Sequence, residues 1–198
     1  MPVALTTILD RPAPQQPPRK RWTRAECAVY KENGMWAGQH YELIEGDLID
    51  KMSKKQPLTH ALKRMMRWLN EVFEWAFQEA PINVAPQDNP TSEPEPDAIV
   101  LKPEFGGVRP ELPRPSELAL VVEVSDTTLT FDLTVKAGLY ARAGITDYWV
   151  LDLNGRRMIV HREPEAGVYK SVVAYAEIES VARFAAPQYS LVVRDVLV

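Results

Sequence analysis

Two carboxylates stand where their neighbours make charge expensive. Asp97 follows Pro96 and opens the apolar run Ala98-Ile99-Val100-Leu101, and Glu123 lies inside Leu118-Ala119-Leu120-Val121-Val122-Glu123-Val124. A carboxylate taken out of water without a partner is heavily penalised, so an acid in such a setting calls for a compensating cation. Paired carboxylates from adjacent strands are what a hard, oxygen-seeking ion such as magnesium, or manganese in its place, uses. Hydrolysis assisted by such an ion also needs a positive group, to orient or deprotonate the attacking water or to stabilise a phosphate under attack. Lys136 fits that role, because the helix after the Glu123 strand begins near the strand's C-terminal end, where ligand sites of such sheets lie. Asp132, four residues earlier on the same helix face, can pair with it and set its orientation. Taken singly, each residue has a plainer reading. Asp97 could begin a strand in water, Glu123 could pair with an arginine such as Arg142, and Lys136 could be a surface lysine. Their joint occurrence in this order points to metal-assisted hydrolysis.

The elements that must position these residues follow from periodicity. The run 118–124 is apolar almost throughout, the mark of a strand buried on both faces. A helix is predicted over 131–143, closed by Gly144, and a second buried strand over 147–152. Strand, helix and strand should form a right-handed parallel crossover. Asn154-Gly155 is a hairpin turn signal that returns the chain as a strand over 157–162, and further strands are expected at 168–175 and 190–193. Upstream, Thr23 and Glu26 form a capping box that starts a helix ending at Asn33-Gly34. His40 to Met52 reads as a hairpin turning at Glu45-Gly46-Asp47. Leu62, Met65, Met66, Leu69, Val72, Phe73 and Ala76 make one apolar face of a helix predicted over 57–77. Short strands are expected at 82–85 and 97–101. The whole is an α/β (α+β) arrangement, a mixed central sheet flanked by helices.

Bulk properties narrow the classes. A length of 198 residues, with 45% hydrophobic and 25% charged, suits one globular domain with its own core. The Pro-rich segment 1–21 reads as a flexible leader, with a single domain over 22–198. Cys27 is the only cysteine, which excludes an internal disulfide and offers no zinc cluster. No apolar stretch is long enough for a signal peptide or a membrane span, so a cytoplasmic protein without membrane attachment is expected. The net charge of −4 argues against a nucleic-acid packaging protein but leaves a nuclease open, because a metal centre itself concentrates carboxylates.

The segments PDAIV, VVEVSD and FDLTVKAGLYARAGITDYWVLD, preceded by YELIEGDLI and a helix bearing His60, resemble the Uma-type restriction endonuclease family, a branch of the PD-(D/E)xK nuclease superfamily. The similarity runs from about Trp22 to the C-terminus. It implies a restriction-endonuclease-like core, a divalent metal held by Asp97 and Glu123 with the Val124 carbonyl, and hydrolysis of DNA phosphodiesters. It also implies a further acid from the early hairpin, which falls on Glu45. The superfamily's usual lysine two residues after the second acid is replaced by Ser125, and the family's shifted lysine corresponds to Lys136. The resemblance also admits a second reading, a nuclease-fold binding or interaction module without turnover. A homodimer is expected if both DNA strands are to be cut.

Overall fold

The computed structural model describes residues 19–51, 56–107, 110–183 and 185–197. The leader expected over 1–21 therefore falls, up to residue 18, outside the described residues.

The centre is a six-stranded sheet, in chain order β3 (Ala76–Gln78), β4 (Ala98–Leu101), β5 (Leu118–Ser125), β6 (Asp147–Asp152), β7 (Arg157–Glu165) and β8 (Val168–Ala176), and the strands lie side by side in that same order. Only β5 and β6 run parallel; every other pair in the sheet is antiparallel. The expected mixed sheet with flanking helices is thus present. Successive side chains of a strand point to opposite faces, and the core divides accordingly. One face gathers Ala98, Val100, Leu120, Val122, Val124 and Trp149 under helix α2 (Gln56–Val72). The other gathers Ile99, Leu101, Val121, Tyr148 and Val150 against the helical segment that follows β5. By this alternation Glu123 belongs to the second face, with Val121.

Helix α1 (Arg24–Glu32) starts on the predicted capping box: the Glu26 N–H donates to the Thr23 hydroxyl, and the Thr23 N–H donates to the Glu26 carboxylate. The predicted hairpin is β1 (Tyr41–Ile44) with β2 (Asp47–Asp50), a separate two-stranded unit. A second one, β9 (Ser180–Arg183) with β10 (Ala186–Val192), covers the α2 side of the core through Val181 and Leu191.

Three expectations need correction. Helix α2 ends at Val72, not Phe77, because Ala76–Gln78 is captured as an edge strand by β4. Residues 82–85 are buried or half-buried but join no sheet; the N–H groups of Ile82 and Asn83 instead donate to the carbonyls of Pro94 and Pro113, and that of Val84 to the Asn89 side chain. The helix predicted over 131–143 is broken into α3 (Leu129–Phe131), a π-helical turn (Asp132–Lys136) and α4 (Ala137–Arg142). Among the described residues no helix is long and apolar enough to cross a membrane.

Candidate active site

The β4–β5 ladder pairs Ala98 with Val122; continued by one residue, the register sets Asp97 opposite Glu123. Both side chains line one open cavity of about 170 Å³, together with Glu42, Asp132 and Lys136. Glu42 comes from β1 and is brought in by the β1–β2 hairpin, while the π turn supplies Asp132 and Lys136. A π turn costs helix regularity and is frequent at functional sites.

Lys136 bridges the cluster. Its ammonium donates to Glu123 Oε1 and lies equally close to Glu42 Oε1, both at 2.9 Å. The Tyr140 hydroxyl, one turn further along the helix, donates to the same Glu123 oxygen at 3.1 Å. Both bonds fall on Oε1, so neither uses the second oxygen of Glu123. Asp97 is fixed differently: its Oδ2 accepts the Val124 N–H at 2.8 Å. The N–H and C=O of an extended residue point to the same side, so the Val124 carbonyl also faces the start of β4, beside Asp97. Asp132 accepts from the Thr128 hydroxyl at 2.7 Å, and Glu42 from the Glu95 N–H at 3.2 Å.

The electrostatics follow from burial. Asp97 is the most exposed of the five ionisable groups and is only 5% exposed, so water screens little of their charge. Within this group four carboxylates face the Lys136 ammonium; Lys51 also lines the cavity but is paired with Glu95 at 3.3 Å. Burial, reinforced by Asp97, Asp132 and Glu42 against the pull of Lys136, pushes Glu123 up to about 8. Burial also raises Asp132, with Lys136 and Thr128 acting the other way. Burial alone would lower Lys136, but Glu123, Glu42 and Asp132 outweigh it and hold the ammonium above the ordinary lysine value. Burial raises the Tyr140 phenol well above its usual value, and the charge on Glu123 raises it further, so it stays a hydrogen-bond donor.

Asp97, Glu123, Val124 and Lys136 are therefore brought together. Glu45 is not: it sits in the hairpin turn with φ 49°, and its carboxylate pairs with Arg142 at 2.5 Å, away from the residues lining the cavity. The acid of the early hairpin that reaches the cluster is Glu42. Its signal in the sequence was its place between Tyr41 and Leu43 in an apolar stretch, whereas Glu45 precedes Gly46 and had to occupy the turn. Arg142 is committed to Glu45 and Asp88 and does not serve Glu123. Tyr140, to which the sequence assigned no role, is fully buried and holds Glu123.

No curated protein matches the chain. Among solved structures it is similar to one titled a putative nuclease belonging to DUF820 from Anabaena variabilis ATCC 29413, with 17% identity, a TM-score of 0.61, and coverage of 79% of this chain and 88% of that one. At that identity the likeness speaks for the fold alone. A family model named Uma2, described as "Putative restriction endonuclease", matches residues 31–193, from the end of α1 to the last strands. The chain belongs to the Uma2 family.

Proposed function

We propose that the protein is a nuclease that hydrolyses DNA phosphodiester bonds with the help of a divalent metal ion. The observation that carries this reading is the imbalance of charge in the cavity: four buried carboxylates, Glu42, Asp97, Glu123 and Asp132, gather around Lys136, while the other lysine of the lining, Lys51, is paired with Glu95. Buried acids are tolerated when a cation neutralises them, and Lys136 can answer only part of this surplus.

The donor set fits magnesium or manganese. The carboxylates of Asp97 and Glu123 and the Val124 carbonyl are hard oxygen ligands from adjoining strand ends. Among the described residues no three acidic, histidine or cysteine side chains form a ready-made metal cage. Magnesium is commonly held by one or two carboxylates and keeps several waters. When bound, such an ion supplies Lewis acidity and a water that ionises near neutral pH.

The chain's own residues then have distinct tasks. The Val124 N–H fixes the rotamer of Asp97. Tyr140 and Lys136 together fix Glu123 on one oxygen. Lys136 remains protonated and uses two of its three donors on Glu123 and Glu42; the third is available to orient a water or a phosphate oxygen at the cavity. Its role is to stabilise developing negative charge rather than to abstract a proton. The outer edge of β8, with Val168, Val172 and Val173 exposed, is the surface we assign to a second copy for double-strand cleavage.

The test is cleavage of supercoiled, linear and single-stranded DNA by the purified protein with magnesium or manganese. Asp97→Ala and Glu123→Ala should each lower the rate by about 100-fold or more and weaken manganese binding measured by calorimetry. No metal-dependent cleavage of any DNA form, with metal binding unchanged in both variants, would overturn the proposal. Metal binding that needs both acids, without cleavage, supports instead a nuclease-fold binding module.

A further inference from the structure

The cations of this acidic protein are mostly neutralised where they stand. Arg24 and Lys31 share Glu93, Arg142 is held by Glu45 and Asp88, and Arg156 by Glu177. Lys102 instead donates to the Ser116 carbonyl and Arg183 lies over the Phe73 ring. Helix α2 is where such cations cluster. Its solvent face carries Lys63, Arg64 and Arg67, none of which has an acidic partner among the described residues. Arg64 turns aside to donate to the Leu197 carbonyl. Lys63 and Arg67 are exposed.

These two residues line a shallow groove of about 470 Å³ with Thr59, Asn70 and Gln78, over a floor of Leu62 and Met66. Thr59, Lys63, Arg67 and Asn70 follow one another at helical spacing, so they form a single stripe. All five polar residues carry hydrogen-bond donors and none is an acid, although the Gln78 amide donates to the neighbouring Glu79 at 3.4 Å. Like charges four residues apart weaken a helix slightly; Glu71 follows Arg67 at the same spacing, and no ion pair joins it to either cation among the described residues. The stripe also leads to the cavity: Leu58, one residue before Thr59, lines the wall of the candidate active site.

We infer that the outer face of α2 is a docking track for the sugar–phosphate backbone of DNA, running from the active-site cavity along the helix. The inference rests on the nuclease reading and adds the surface that would hold the substrate. A helix rises about 1.5 Å per residue, so Leu58 to Arg67 spans about 14 Å; at about 3.4 Å per nucleotide this is a reach of about four nucleotides. Contacts of this kind neutralise phosphates without reading bases, so they set affinity and register rather than sequence preference.

The experiment measures binding of a short DNA duplex of arbitrary sequence in EDTA, where metal-supported cleavage does not compete, across a range of salt concentrations. Lys63→Gln/Arg67→Gln keeps good helix formers at both positions, and its thermal unfolding is followed in parallel. The expected result is a Kd raised about 10-fold or more at low salt, and a slope of log K against log salt that is shallower by about 1.8, or 0.9 for each lost phosphate contact. The control Lys170→Gln/Arg194→Gln removes the same net charge from β8 and the C-terminal turn and should leave both quantities near wild type. If wild-type protein binds DNA and the α2 variant keeps its Kd and slope, the track is wrong while the nuclease reading stands. Equal weakening by both variants also overturns it, because net charge alone would then explain binding. If wild-type protein neither binds nor cleaves DNA, the nuclease reading fails, and the track with it.

Discussion

The two strands of the parallel pair handle buried acids in opposite ways. Asp147, at the start of β6, is almost fully buried, and it accepts from Arg162 Nε at 3.0 Å and from Trp149 Nε1 at 2.7 Å. Asp152, at the far end of β6, accepts from Arg157 Nε and from the Gly155 N–H, both at 2.8 Å. Each has its own arginine and serves the fold. In the cavity beside β5, Glu42, Asp97, Glu123 and Asp132 gather around Lys136, which reaches only Glu42 and Glu123 directly. The difference teaches where to look for function: a buried acid as such is ordinary, whereas a surplus of buried acids is held in place by the rest of the fold against its own repulsion.

The most severe way to break this contrast is to remove the shared cation. Lys136→Met leaves the four buried carboxylates without the ammonium they surround, Lys51 being paired with Glu95, and should destabilise the metal-free protein by about 3–5 kcal/mol in chemical denaturation. A loss under about 1 kcal/mol would mean that the cluster needs no cation, and would remove the main argument for a metal.

Removing an acid should act with opposite sign at the two places. Asp147→Asn disturbs a satisfied pair and should cost about 2 kcal/mol. Glu123→Gln relieves a surplus, and its effect should depend on pH. Glu123 is pushed up to about 8 in the folded protein from an ordinary 4.5. Between these values the folded state keeps a proton that the unfolded chain releases, so the Glu123 contribution to stability is complete below about 4.5 and declines as the pH rises to about 8. Glu123→Gln should match wild type in acid and become the more stable protein above that window. Denaturation midpoints of the two proteins across pH check this; parallel curves would refute the shift.

The smallest effect sharpens the choice between the two glutamates of the hairpin. Glu45→Gln gives up a partly exposed pair with Arg142 and should cost less than about 1 kcal/mol, with cleavage unchanged. Glu42→Gln should lower cleavage measurably by freeing Lys136 from one of its two anchors. A loss of activity in Glu45→Gln with none in Glu42→Gln would reverse the assignment.

The amino-acid sequence by itself determined the strands that are buried on both sides, the capped first helix, the parallel crossover, and the anomaly of Glu123 and Asp97 in apolar runs. All of these are local: a periodicity, a cap or a misplaced charge is legible from neighbours in the chain. Tertiary structure alone decided which groups meet. Glu42 enters because a hairpin packs across the end of β4, and Glu45 stays out because the same hairpin turns at that residue. The π turn carries both Asp132 and Lys136 inward, although nothing in the local spacing distinguishes it from a regular helix. Ala76–Gln78 became a strand because the edge of β4 offered hydrogen bonds that a helix end could not. The reason is common to each case: convergence depends on register and packing between segments far apart in the chain, and those are settled by the whole core rather than by any one stretch of it.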